Sequence, residues 1–369
     1  MNFKNLIYLF FISLLATMCI KPVEIIDSTF EDFLVVEALL TNESKKHVVN
    51  ISRTFPLNSE IQIKESNAIV SIEDDTQNIY SFTETSSGKY ISDIEFKAEI
   101  NKTYILQITT SDNKIFKSSP EKITGNAKIS EILPVKEPNS LGDEGIKIYV
   151  KSESEDENAK YYRYEYEETY KIIAPYWSPF KIDLINTKID LNNPDAPANP
   201  EDIVLEIVPD NESAQVCYNT QNSIRIIQTE VANLTQNKVN FGVKFIPKND
   251  YLIFNRYSIL IKQYVQSFNA YRYFQTLNKI SSSENVFTQS QPGFLTGNIS
   301  SINNPNDKIV GYFEVASVSK KRVFLNGKDF FPDRKADYPV DCFLIAPVES
   351  RSDGTFPLIN LLLGGKFIF

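Results

Sequence analysis

The chain has 369 residues, of which 42% are hydrophobic, and its 38 Lys and Arg residues stand against 47 Asp and Glu residues. The formal net charge of −9 argues against a nucleic-acid-binding protein, because such proteins use a basic surface to displace the counterions of the phosphates. At about 100 to 200 residues per domain the length predicts two globular units, and the apolar content argues against disorder.

The N-terminus has the pattern of an export signal. Lys4 precedes an apolar run from Leu6 to Leu15 that is too short to span a bilayer as a helix, and Cys19 follows it. This order resembles the lipobox of bacterial lipoproteins, in which the cysteine is lipidated and becomes the new N-terminus. We therefore predict a signal peptide over residues 1–18, lipidation of Cys19 and a tether over residues 19–32. The alternative is an ordinary signal peptide with an incidental cysteine.

Seven short segments rich in β-branched and aromatic residues come next, separated by turn signals. They are Phe33–Leu40, His47–Arg53, Ala68–Glu73, Ile79–Thr83, Lys89–Ser92, Thr103–Thr110 and Lys114–Ser118. The alternation that begins at Tyr104 resembles the strand that carries the tyrosine corner of immunoglobulin-like folds. We predict an immunoglobulin-like β-sandwich over residues 31–125.

We predict that residues 126–369 form a larger β-rich domain with one inserted helix, so the expected fold class is mainly β. Its candidate strands are Ile129–Val135, Gly145–Lys151, Tyr161–Ile173, Ser223–Glu230, Val239–Ile246, Tyr251–Gln263, Lys308–Val318 and Arg322–Leu325. The helix is predicted near residues 267–280, where apolar residues recur at spacings of three and four and Ser267 can cap the N-terminus.

Histidine and cysteine are too few for a zinc site built from these ligands, and no cofactor-binding motif is present, so we predict neither metal nor cofactor. The single histidine, His47, lies in an alternating strand and is expected to be structural and surface-facing. Cys217 and Cys342 could form a disulfide in an oxidising compartment, or they could remain two buried thiols.

The densest local feature is the tyrosine-rich strand at residues 161–170. With a period of two, one face of the half-buried strand carries Tyr162, Tyr164 and Tyr166. The other face, with Arg163, Glu165 and Glu167, is predicted to be a solvated ion-pair face. The two glutamates would lie about 6.5 to 7 Å apart, which overlaps the carboxyl separation of inverting glycosidases, but hydrolysis needs carboxylates on opposite sides of a bond. We therefore expect no catalytic residue here.

An aromatic loop follows this strand, with Tyr176, Trp177 and Phe180 placed among prolines. Large flat side chains on a restricted loop suit a contact with a partner or a ligand, because they bring apolar area at little cost in entropy. Packing against the core or a partner is favoured over sugar binding.

Several segments together resemble a Bacteroidetes family of exported lipoproteins of unknown function, domain of unknown function family 4249. They are Pro22–Glu24 after Cys19, Leu34–Glu37, Val49–Thr54, Tyr162–Tyr170, Cys217–Tyr218, Ala270–Phe274, Gly297–Ile299 and Gly311–Val318. The genes of this family often lie beside those of TonB-dependent receptors. The resemblance implies a non-enzymatic accessory to such a receptor in nutrient uptake, anchored by lipid in the outer membrane and facing either the periplasm or the outside.

Two other functions stay open from the sequence. One is a surface protein that binds a glycan or a peptide, and the more distant one is a hydrolase that uses Glu165 or Glu167.

The lipid anchor is directly testable. We expect a labelled lipid precursor to be incorporated into the native protein and not into Cys19→Ala, because the thiol is the acceptor. Incorporation that survives the substitution would reject Cys19 as the anchor.

Overall fold

The computed structural model describes residues 32–55, 63–173, 180–185, 204–209, 216–234, 237–281 and 295–333. Over these residues the protein is mainly β, as predicted, and contains one α-helix. The signal peptide and nearly all of the tether lie outside the described residues.

The seven N-terminal strands form where the sequence predicts them, with ends that differ by a few residues. They are Leu34–Thr41 (β1), Val48–Arg53 (β2), Ile69–Asp74 (β3), Ile79–Ser86 (β4), Lys89–Ser92 (β5), Tyr104–Thr109 (β6) and Ile115–Ser118 (β7). Hydrogen bonds join them in one continuous order, β1-β2-β5-β4-β3-β6-β7. The Tyr104 hydroxyl accepts a hydrogen bond from the Glu99 backbone N–H at 2.8 Å, which is the contact that a tyrosine corner makes. The immunoglobulin-like sandwich itself stays a prediction.

A first core lies against one face of these strands. Val49 and Ile51 of β2 and Leu106 of β6 are buried in it, as their alternation requires. Phe313 and Val315 belong to the same core. The first core therefore includes residues that the sequence analysis placed in the second domain, 126–369.

The remaining strands, in chain order, complete the β structure. They are Lys128–Pro138 (β8), Glu144–Glu153 (β9), Tyr161–Ile173 (β10), Phe180–Ile185 (β11), Val204–Pro209 (β12), Val216–Asn222 (β13), Ile227–Glu230 (β14), Lys238–Pro247 (β15), Arg256–Gln266 (β16), Ile299–Ser301 (β17) and Ile309–Asn326 (β18). The three-stranded sheet β15-β9-β8 packs on β10 and β16, and a second core fills the space between them. This core is rich in tyrosine and isoleucine, including Tyr162, Tyr164 and Ile148.

β18 connects the two cores. Its first half pairs in parallel with β1, from Ile309 opposite Leu34, and its second half pairs antiparallel with β16, ending with Asn326 opposite Arg256. The prediction of two strands, 308–318 and 322–325, is wrong. The charged residues between them do not end the strand, because Lys320 and Arg322 lie at the surface and pair with Glu43 and Glu167, each at 2.7 Å.

Other differences from the predicted elements come from strand pairing or from a local side-chain contact. β11 and β12 pair with each other, and β13 pairs with β10, although the sequence analysis predicts none of the three. The predicted strand 251–263 begins with a 3-10 turn at Tyr251–Ile253, because the Asp250 side chain accepts from the Leu252 backbone N–H at 3.0 Å.

The predicted helix is confirmed at Phe268–Ser281 (α1). Ser267 caps it as expected, with its hydroxyl oxygen accepting from the Ala270 backbone N–H at 3.2 Å. Ala270 and Tyr273 pack on Tyr312 of β18, so the helix lies across the strands.

His47 is structural, but the prediction that it faces the surface is wrong. It is 2% exposed, its Nε2 lies 2.9 Å from the Phe96 carbonyl oxygen, and its ring packs edge-on against the Phe96 ring. Burial lowers the pKa of His47, so the imidazole is held in its neutral form.

Gly311 allows β1 and β18 to approach each other. Its φ is +140°, and a Cβ atom there would lie 2.1 Å from the Val36 carbonyl oxygen. Gly142, between β8 and β9, also has a positive φ of +91°, but a Cβ atom there would meet nothing within 4 Å.

We expect Gly311→Ala to lower the free energy of unfolding by about 2 kcal/mol more than Gly142→Ala. Both substitutions introduce backbone strain, whereas Gly311→Ala alone also forces two paired strands apart. Urea unfolding of the two variants measures the difference, and equal losses would contradict the steric role of Gly311.

Candidate ligand-binding cleft

One face of β10 packs on the second core, and α1 covers the beginning of its other face, at Tyr161 and Arg163. Tyr162 and Tyr164 are buried, which confirms their predicted orientation. The predicted ion pair on the opposite face is confirmed for Arg163 and Glu165, but the prediction that this face is solvated is wrong for Arg163, which is only 9% exposed. Its guanidinium lies over the rings of Tyr264 and Phe274, at 4.5 and 5.1 Å from the ring centroids.

The buried guanidinium is neutralised by two carboxylates. Arg163 donates to Glu165 on its own strand and to Glu314 of β18, the latter at 2.9 Å. Glu165 also accepts from the Tyr264 hydroxyl at 3.0 Å. Burial acts to raise the pKa of Glu165, but the charge and hydrogen bond of Arg163 outweigh it, so that the pKa is lowered.

Amide side chains extend this network in one direction. Gln266 donates to Glu314 and accepts from Gln228, both at 2.8 Å. Gln228 also donates to the Tyr271 carbonyl oxygen at 3.2 Å, so both of its amide hydrogens are engaged. This fixes the position of the Gln228 side chain between β14 and α1.

Glu121 lies on the other side of Glu314. It accepts from the Tyr312 hydroxyl and the Asn298 amide, both at 2.9 Å. Burial raises the pKa of Glu121, and the nearby charge of Glu314 adds to the effect, against these two hydrogen bonds. Four of the segments that carry the family resemblance thus meet at one place, since they supply Arg163, Phe274, Asn298, Tyr312 and Glu314.

The edge of the sheet is interrupted next to this network. β13 and β14 both pair with β10, but the chain between them leaves the sheet at residues 223–226. Ser223 holds the turn, because its backbone N–H donates to the Tyr166 carbonyl at 2.8 Å and its hydroxyl accepts from the Tyr166 N–H at 3.1 Å. The interruption places Ile224, 96% exposed, and the exposed Arg225 at the surface.

A cleft of about 770 Å³ opens at this interruption, between β10, β15 and α1. We call it the edge cleft. Its lining combines aromatic rings, side-chain amides and a few charges. The residues are Tyr166, Glu168, Gln221, Asn222, Ile224, Arg225, Ile226, Ile227, Gln228, Phe241, Val243, Lys244, Phe245, Tyr271, Gln275 and Asn278.

The one carboxylate among these lining residues is already engaged. Glu168 is 4% exposed, pairs with Lys244 at 3.1 Å and accepts from the Tyr257 hydroxyl at 2.7 Å. The Lys244 ammonium also lies 5.1 Å from the centroid of the Tyr166 ring. In contrast, Arg225 has no ion-pair partner among the described residues.

The glutamates considered for hydrolysis do not line the edge cleft. Glu165 is bound to Arg163 and Tyr264, and Glu167 pairs with Arg322 at 2.7 Å. Across the described part of the chain, no group of three His, Cys, Asp or Glu residues could hold a metal ion. The same residues contain no helix with the length and apolarity needed to cross a membrane.

Of the other predicted site residues, those that the structure describes do not line this cleft. Cys19, Tyr176, Trp177 and Cys342 lie outside the described residues. Cys217 lies in β13, with its backbone opposite Ile172. Its disulfide stays a prediction, because the partner Cys342 is not among the described residues. Phe180 begins β11 and is 54% exposed.

The sequence analysis did not find the residues that form the edge cleft. Arg225 is an isolated charge in a loop, and Gln275 and Asn278 occupy polar positions of an amphipathic helix. The one local signal is Gln228, a polar residue directly after the apolar pair 226–227 in a predicted strand.

Residues 20–322 match a family described as "Domain of unknown function (DUF4249)". The chain belongs to this family. None of the curated proteins matches it. Among solved structures, the "Biofilm associated protein - B domain" aligns over 81% of this chain and 86% of that chain, with 9% identity and a TM-score of 0.13. A similarity this low carries no information about the DUF4249 chain.

The Arg163 network makes a clear prediction about stability. We expect Arg163→Met to lower the free energy of unfolding by about 3 to 5 kcal/mol, because Glu314, 2% exposed, would lose its cation. The control is Glu167→Gln, which breaks a half-exposed pair on the same strand and should cost less than about 1 kcal/mol. Urea unfolding at neutral pH tests both, and similar small losses would show that the buried charge is not held by Arg163.

Proposed function

We propose that this DUF4249 protein is a non-enzymatic, lipid-anchored outer-membrane protein that binds a ligand in the edge cleft and serves a TonB-dependent receptor in nutrient uptake. The anchor and the compartment rest on the export signal and Cys19. The receptor rests on the family resemblance.

The edge cleft is the observation that carries the binding role. Ligand sites are commonly concave, largely preformed and lined by apolar and aromatic side chains with a few placed polar groups. The edge cleft has this composition, at about 770 Å³. Its polar wall is preorganised, because Gln228 is held by Gln266 and Tyr271, and Gln266 is held in turn by the buried Glu314.

The engagement of the carboxylates supports a non-enzymatic role. Acid–base hydrolysis of a glycosidic bond uses two carboxyl groups on either side of the bond. Glu168 is the lining carboxylate, and Lys244 and Tyr257 occupy it. Glu165 and Glu167 are each paired with an arginine outside the cleft.

The cleft also supports the alternative of a surface glycan- or peptide-binding protein that acts without a receptor. The two functions differ in whether a receptor is bound, and not in the cleft. The aromatic loop with Tyr176, Trp177 and Phe180 is the candidate contact with the receptor, and Phe180 is the member whose exposure is described.

Crosslinking in native membranes followed by purification tests the receptor pairing. We expect a TonB-dependent receptor to be recovered, and Trp177→Ala to weaken the association by more than about 1 kcal/mol, because buried aromatic anchors dominate such interfaces. The control is Phe324→Ala, which removes an aromatic residue of β18 that is 58% exposed.

Failure to recover any receptor would reject the pairing. Equal effects of the two substitutions would reject Trp177 as a contact and leave the pairing intact. Protease digestion of whole cells then shows which side of the outer membrane the protein faces.

A further inference from the structure

The charge of the edge cleft is opposite in sign to that of the whole protein. The protein has a formal net charge of −9, yet two cations and one carboxylate line this cleft. Because Glu168 and Lys244 neutralise each other, Arg225 supplies the net positive charge. A neighbouring cleft at residues 126–128, 153–156 and 237–238 has the opposite balance, with three carboxylates and two lysines.

Arg225 is placed to receive an anion from solution. It is exposed, lies on the loop that leaves the sheet edge, and has no ion-pair partner among the described residues. A guanidinium binds a carboxylate through two parallel hydrogen bonds, which gives both strength and a defined orientation.

The rest of the lining matches a ligand with many hydroxyl groups. Five side-chain amides line the same space and can bind hydroxyl groups as donors or acceptors, except that Gln228, whose two amide hydrogens are engaged, offers its carbonyl oxygen as an acceptor only. They are Gln221, Asn222, Gln228, Gln275 and Asn278. The aromatic rings of Tyr166 and Phe241 add flat apolar surface of the kind on which a sugar ring can stack.

We infer that the edge cleft binds an acidic oligosaccharide, a sugar chain whose rings carry carboxylates, and that Arg225 binds one of those carboxylates. This inference rests on the proposed binding function and names its ligand class.

An acidic peptide fits the same cleft less well. Extended peptides are commonly bound by adding a strand to a continuous sheet edge, where main-chain hydrogen bonds supply the affinity. At the edge cleft this edge is interrupted at residues 223–226, and the Ser223 N–H is already used by Tyr166. The edge cleft instead presents side-chain amides and aromatic rings to a ligand.

Calorimetric titration of the full-length protein in detergent tests the inference with three kinds of probe. The acidic sugars are trigalacturonate and alginate trisaccharides, the neutral sugar is maltotriose, and the acidic peptide is hexaglutamate. We expect an acidic trisaccharide to bind at least tenfold more tightly than maltotriose, and Arg225→Gln to remove this preference.

The matched control is Arg256→Gln, which removes an exposed arginine that lies over the Phe324 ring and does not line the cleft. Arg225→Gln should leave the unfolding curve unchanged, because the side chain makes no ion pair that the fold needs. Gln228→Ala should weaken the binding of acidic and neutral sugars alike, since it removes a hydroxyl-binding group and not the charge.

Each other outcome overturns the inference. Equal binding of neutral and acidic sugars, or binding that Arg225→Gln does not change, removes the role of the carboxylate. Binding of hexaglutamate in preference to the sugars assigns the cleft to a peptide and leaves the binding function standing. If no probe binds but the receptor is still recovered by crosslinking, the ligand class is rejected and the receptor pairing stands. If no probe binds and no receptor is recovered, the proposed function is rejected as well.

Discussion

The pairing of β18 with two different partners is the constraint on which the rest of the structure depends. Its first half lies beside β1 and places Phe313 and Val315 in the first core, and its second half lies beside β16 and places Leu325 in the second. Because one extended backbone belongs to both units, their positions are linked through hydrogen bonds and not through a linker. The predicted boundary at residue 125 therefore does not separate the two units completely, because β18 returns to the first unit later in the chain.

The buried charges lie where β18 passes from one unit to the other. Ion pairs out of water add little net stability but favour one arrangement over others, because a misplaced charge is costly. Arg163 and Glu314 can pair only when β10, β16 and β18 are in register and α1 covers them. A chain of hydrogen bonds runs from Glu314 through Gln266 to Gln228 in the wall of the edge cleft. The same register therefore shapes the wall of the edge cleft.

Local patterns in the sequence predict where the strands and the helix lie, but they do not predict which residues pack around each element. Alternation placed the strands from β1 to β10, and the three-four spacing with Ser267 placed α1, because both depend on neighbouring residues. The burial of Arg163 depends on a helix more than a hundred residues later in the chain, and the polar strand β13 forms because β10 offers an edge. Arg225 has no local signature, since its importance comes from the break in pairing around it.

The return of β18 to β1 also determines when the protein can fold. The Asn42 side chain accepts from the Val318 backbone N–H, a contact between residues 276 positions apart. A chain that is synthesised from its N-terminus therefore presents β1 to β7 long before β18, which pairs with β1, is available. Contacts of such long sequence separation slow folding and leave strand edges open meanwhile. The first unit consequently stays incomplete until nearly the whole chain has been synthesised, and its open strand edges need protection from other chains until then.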